Sequence, residues 1–86
     1  MLLLIKLYVI MMSVILKTIR LSRIEKNLTQ EAVAKKLNFT QSYYAKMENG
    51  KADITLCNLL KLIEVLEVDY FIFQKRIERR IQENDF

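Results

Sequence analysis

The chain contains no His, no Trp and no Pro, and it has one Gly and one Cys among 86 residues. Each shortage removes a class of function. A single Cys forms no internal disulfide, so a stapled secreted scaffold is excluded and a reducing cytoplasm fits. Without His, and with one thiol, no common zinc site assembles within one chain. Ser–His–Asp and Cys–His catalysis are excluded as well. One Gly leaves neither a P-loop nor a dinucleotide fingerprint. Neither a metal nor a cofactor is expected. The plentiful Leu, Ile, Lys and Glu, with so little Pro and Gly, favour helices joined by short loops. A chain of 86 residues has room for one core.

Charge is distributed unevenly. Residues 13–51 carry eight Lys or Arg against three Asp or Glu, a local +5 within a total of +4. Residues 52–73 carry one Lys against four acids, a local −3, and residues 74–86 four basic against three acidic groups. A basic first half suits an anionic partner, nucleic acid or a membrane surface. The plain alternative is a solvated helix surface.

The first sixteen residues, MLLLIKLYVIMMSVIL, are apolar apart from Lys6 and Ser13. The run falls short of the ~20 apolar residues of a comfortable transmembrane helix. It lacks the basic start and small-residue cleavage site of a signal peptide. A strand, a swapped arm or a buried helix all fit such a run. Translation starting at Met11 or Met12 would leave residues 1–10 outside the protein, and the intact mass of the native chain decides that point. Residues 1–13 are therefore set apart as an apolar N-terminal extension.

Helical signals organise the rest. A first helix is expected over about 14–26, with Ile15 and Ile19 on one face. Asn27 stops it, because Asn tolerates the left-handed conformation. Thr29 caps a second helix to about Leu37, with Val33, Ala34 and Leu37 inward. Asn38-Phe39-Thr40 forms a tight turn in which Phe39 plugs the core and Thr40 caps a third helix over 41–48. Tyr44 and Met47 face inward there, and Asn49-Gly50 ends it. Thr55 caps a fourth helix with apolar positions Leu56, Leu59, Leu60, Ile63 and Leu66. Asp69 caps a last segment in which Tyr70, Phe73, Ile77 and Ile81 recur at helical spacing. Cys57 is expected to be a small, partly buried apolar residue.

Two short helices joined by a three-residue turn describe a helix-turn-helix. Here they read TQEAVAKKL, NFT and QSYYAKME, followed by NGK. Ala34 is small enough for a close helix crossing, and the Thr40 hydroxyl fixes where the second helix begins. Gln41, Ser42, Ala45 and Lys46 then point outward with Tyr43 beside them. A Gln amide can bond an adenine edge, and Lys can reach guanine or a phosphate.

With these elements the sequence resembles the Cro and phage-repressor (XRE-like) helix-turn-helix family over about residues 14–73. The resemblance implies base contacts from Gln41, Ser42 and Lys46, and Tyr43 is added as a neighbour able to pack on thymine. It implies phosphate contacts from Gln30 at the start of the second helix, with the capping Thr29 beside it, and from Asn49 and Lys51 in the following loop. It implies a structural ion pair between Arg23 and Glu48. The family usually has Gly where Asn27, Asn38 and Glu67 stand, an apolar residue at Ser22, and Ile or Val at Tyr44. Ser22 would be accommodated by rotation of the first helix or by Leu21.

Plainer roles stand beside these. Gln41 and Ser42 also suit a first helical turn, Lys46 can serve a phosphate alone, and Tyr43 can cover apolar neighbours. Lys35 and Lys36 read as solvated, as do Arg76, Arg79 and Arg80 beside Glu78 and Glu83.

The expected architecture is all-α: a five-helix repressor-like domain over 14–73, the apolar extension 1–13, and a C-terminal helical tail over 74–86. The expected function is sequence-specific binding of double-stranded DNA in the major groove by a cytoplasmic bacterial or phage transcriptional regulator, in the sense of a repressor rather than an enzyme. A monomer reads only ~4–6 base pairs, so a homodimer is expected, with Tyr70, Phe73, Ile77 and Ile81 as its surface and the N-terminal run second. Two other readings are an antitoxin-type module that uses the same fold to grip a protein partner, and a membrane-associated protein anchored by residues 1–16, which recovery in the soluble fraction would remove.

Overall fold

The computed structural model describes residues 1–85. Helix α1 spans Leu2–Glu25, α2 Gln30–Lys36, α3 Gln41–Glu48, α4 Leu56–Val65 and α5 Tyr70–Gln82. Four helix starts are set by one device. Thr29, Thr40 and Thr55 accept from the backbone N–H groups of Ala32, Tyr43 and Asn58, and Asp69 accepts from those of Phe71 and Ile72. The stops are left-handed residues. Asn27 has φ +57°, Asn38 +61°, Glu67 +54° and Gly50 +76°. At Glu67 the chain accepts the strain of a side chain in a conformation that Gly adopts without penalty.

The core gathers Ile19 from α1, Val33 and Ala34 from α2, Tyr44 and Met47 from α3, Leu62, Ile63 and Leu66 around α4, and Phe73 from α5. Ala34 is 1% exposed where α2 crosses α3. Ser22 faces this core directly and is 1% exposed, so α1 is not rotated to accommodate it; its hydroxyl has no hydrogen-bond partner. Leu62 takes the inward place on α4, whereas Leu56 and Leu60, two expected apolar positions, are exposed. Cys57 is also exposed, contrary to expectation. The α4 pattern has too many apolar residues for one stripe, and the neighbouring helices choose among them.

Helix α5 runs antiparallel to α1. Arg76 bonds Glu25 at 3.0 Å, and Lys17 pairs with Asp85, which Arg80 also holds at 2.9 Å. These Arg side chains therefore tie two helices together rather than forming a merely solvated face. The helix continues through position 73, so the proposed tail 74–86 begins inside α5.

The largest departure lies at the N-terminus. Residues 1–13 form no separate arm, because α1 starts at Leu2 and runs unbroken for 24 residues. By length and mean hydropathy, 2.1 over its most apolar stretch, α1 is capable of crossing a membrane. Its second half is committed elsewhere, since Val14, Thr18, Ile19 and Ser22 are buried in the domain. Only residues 2–13 overhang, about 18 Å of helix against a hydrocarbon core of about 30 Å.

Candidate nucleic-acid interface

The short turn after α2 decides what α3 presents. The Phe39 N–H bonds the Ala34 carbonyl at 2.8 Å, closing the left-handed turn at Asn38. Thr40 then starts α3, and the helix period divides its side chains. Tyr44, Met47 and Glu48 turn inward, while Gln41, Ser42, Tyr43 and Lys46 are exposed along the outer side. Phe39 meets Tyr43 edge to face, with centroids 5.1 Å apart and planes at 89°. The aromatic pair steadies Tyr43 at the margin of the row.

Glu48 is the anchor. It is 5% exposed, yet its carboxylate accepts from Arg23 Nε and Nη2, each at 2.9 Å, and from Gln30 Nε2 at 3.3 Å. Arg23 Nη1 also donates to the Leu28 carbonyl at 2.8 Å. One carboxylate thus joins α1, α2 and α3, and Arg23 holds the loop between the first two. Burial alone would raise the Glu48 pKa; the hydrogen bonds and charge of Arg23, with the Gln30 amide adding to them, outweigh it and hold the group below the usual carboxylate range. The same hydrogen bonds raise the Arg23 pKa further. The Tyr44 hydroxyl lies beside the pair without closing a hydrogen bond. Burial first, and then the Glu48 carboxylate, push the phenol well above its ordinary value.

The residues expected at phosphates lie at the ends of α2 and α3. Thr29 is exposed and its oxygen serves as the cap of α2. Gln30 is half-buried, with one amide hydrogen directed to Glu48. Asn49 and Lys51 are exposed after α3, where the Lys51 N–H bonds the Lys46 carbonyl at 2.7 Å. Gly50 supplies the positive φ that this closure requires.

A family model described as helix-turn-helix matches residues 19–73, which hold this whole arrangement. The chain belongs to the XRE-like helix-turn-helix family. Among solved structures it is similar to the wild-type restriction-modification controller protein C.Esp1396I. The two are 28% identical with a TM-score of 0.78, over 84% of this chain and 95% of that one. It is also similar to the same controller protein as a tetramer in complex with its natural 35-base-pair operator, at 28% identity and TM-score 0.75, over 84% and 95% of the two chains. Comparison with curated proteins finds no match.

Within this helix-turn-helix chain the expected dimer residues divide. Tyr70 is 54% exposed, Ile77 and Ile81 are half-buried, and Phe73 is 5% exposed in the core. Phe73 is therefore unavailable as a dimer contact. Phe71 and Ile72 are exposed beside Tyr70. The Gln30–Glu48 bond was missed. A polar residue at a helix start reads equally as a cap, a phosphate ligand or a partner of another helix.

Proposed function

We propose that this protein is a transcriptional regulator that binds double-stranded DNA sequence-specifically, with α3 in the major groove, and acts as a homodimeric repressor. One observation carries the reading: the exposed row Gln41, Ser42, Tyr43 and Lys46 stands on a helix locked to its neighbours by the buried Arg23–Glu48–Gln30 cluster. A rigid, polar, cation-bearing helix of two turns is what base-edge reading in the major groove requires. Thr29, Gln30, Asn49 and Lys51 flank the row and are assigned to phosphates, where they set register without reading sequence.

Two copies would place their α3 helices about one turn of DNA apart, ~34 Å. The exposed trio Tyr70, Phe71 and Ile72, with Ile77 and Ile81 beside it, is the surface assigned to that pairing. Among phage Cro-like, restriction-modification controller and antitoxin roles for a short chain of this plan, the likeness to a restriction-modification controller favours that one. We place the protein with its DNA in a bacterial or phage-infected cytoplasm and assign it no catalytic step. Selection of sites from random duplex DNA tests the reading. A two-fold symmetric consensus is expected; an asymmetric consensus would remove the dimer, and no enrichment would remove sequence-specific readout.

A further inference from the structure

Helix α1 lies alongside the end of α3, and two contacts fix where. Arg23 Nε and Nη2 each bond Glu48 at 2.9 Å. Two turns earlier, Leu16 packs over Gly50, where an added Cβ would stand 3.5 Å from Leu16 Cδ1. Arg20 falls between them, four residues after Leu16 and three before Arg23, so the helix period puts the three on adjoining faces. Its place along α1 is therefore beside Asn49, between the residues that Arg23 and Leu16 touch. Arg20, Asn49, Gly50 and Asp53 line one groove between α1 and the loop that follows α3.

The charge at this place is uncompensated. Arg20 is exposed and has no ion-pair partner among the described residues. The neighbouring cations of α1 are engaged, Lys17 with Asp85 and Arg23 with Glu48. Asp53 shares the groove with Arg20 without pairing with it. Of the four residues assigned to phosphates, Thr29, Gln30, Asn49 and Lys51, only Lys51 is a cation. A guanidinium presents a planar fork of donors that matches two phosphate oxygens. A DNA strand carries a phosphate for about every 3.4 Å of helix axis, so a strand held at Asn49 and Lys51 brings further phosphates past the loop.

We propose that Arg20 is a further DNA contact, its guanidinium binding a backbone phosphate next to those held by Asn49 and Lys51. The contact rests on the DNA-binding role proposed above, and it adds α1 to an interface otherwise built from α2, α3 and the loops at their ends. It contributes charge and register without base information.

Fluorescence anisotropy of the full chain with duplex DNA across a range of salt tests the contact. Arg20→Ala should weaken binding to a selected consensus and to its single-base variants by the same factor. It should also make the slope of log affinity against log salt shallower by about 0.9 per bound chain. Arg20→Lys keeps the charge and should keep the slope. Lys61→Ala, at an exposed cation of α4, should leave slope and affinity at their wild-type values. Thermal unfolding of Arg20→Ala should match wild type, since no ion pair is lost. The slope is read on random duplex as well, so it judges Arg20 even where no consensus is selected. An unchanged slope in Arg20→Ala, beside a wild type that binds DNA, would overturn this contact alone. A changed base preference in Arg20→Ala would put a base edge in place of the phosphate and overturn it too. Absence of duplex binding by wild type at every salt concentration would overturn the DNA-binding role and the contact with it.

Discussion

Glu48 joins stability to readout because it is buried, charged and shared by three helices. Its pKa is held down in the folded chain, so its contribution is fully present above the unfolded value of about 4.3 and is lost as pH falls through the lower folded value. Unfolding followed by denaturant from pH 7 to pH 3 should therefore show stability falling in the acid range. Glu48→Gln should lower stability at pH 7 by about 3–5 kcal/mol, because Arg23 keeps its burial and loses its counter-charge. It should also flatten the acid slope; an unchanged slope would show that other carboxylates govern it. Under the proposed assignment, Gln41 reads a base and Gln30 a phosphate, and the two are separable. Gln41→Ala should cost ~1–3 kcal/mol at one base position and relax preference there. Gln30→Ala should weaken all sequences alike. Binding titrations against a consensus site and its single-base variants distinguish the two, and a base-specific effect at Gln30 would reverse their roles.

Each short helix depends on its ends more than on its own propensity, since seven or eight residues are too few to be stable alone. The caps at Thr29, Thr40, Thr55 and Asp69 satisfy amides that the helices leave open. The left-handed residues reverse the chain within one or two positions. Glu67 is the strained member of that set, an exposed side chain at φ +54° in a closure where the Val68 N–H reaches the Ile63 carbonyl at 3.3 Å. Glu67→Gly should stabilise the chain by about 1 kcal/mol through relief of that strain. Thermal unfolding measures it; a fall in Tm would mean that the added freedom of the unfolded chain outweighs the relief.

Across the molecule, basic residues gather around the helix-turn-helix while the supporting segment 52–73 is acidic. DNA affinity should therefore fall steeply as salt rises, with a slope set by the phosphates neutralised. Phe71→Glu, on the exposed start of α5, should weaken pairing and lower affinity for a two-half-site operator while leaving the salt slope per chain similar. Binding at several protein concentrations reads both quantities. An unchanged operator affinity for Phe71→Glu would move the pairing surface elsewhere.

The helix-turn-helix is legible in the sequence because its signals are local. Thr40 caps the residues immediately after it, Asn38 and Gly50 allow positive φ where they stand, and Ala34 is small wherever the crossing falls. The same reasoning places Gln41 and Lys46 outward, since the period of a short capped helix leaves them no other side. Choices among chemically similar residues were not legible. Leu62 rather than Leu60 enters the core, Phe73 rather than Phe71 turns inward, and Gln30 spends one amide hydrogen on Glu48. Residues 2–13 likewise join α1 because the helix continues without a break, which a run of Leu, Ile, Val and Met does not announce. Caps and turns are decided over three or four neighbouring residues. Burial is decided by which neighbouring helix arrives, and that depends on packing across the whole chain.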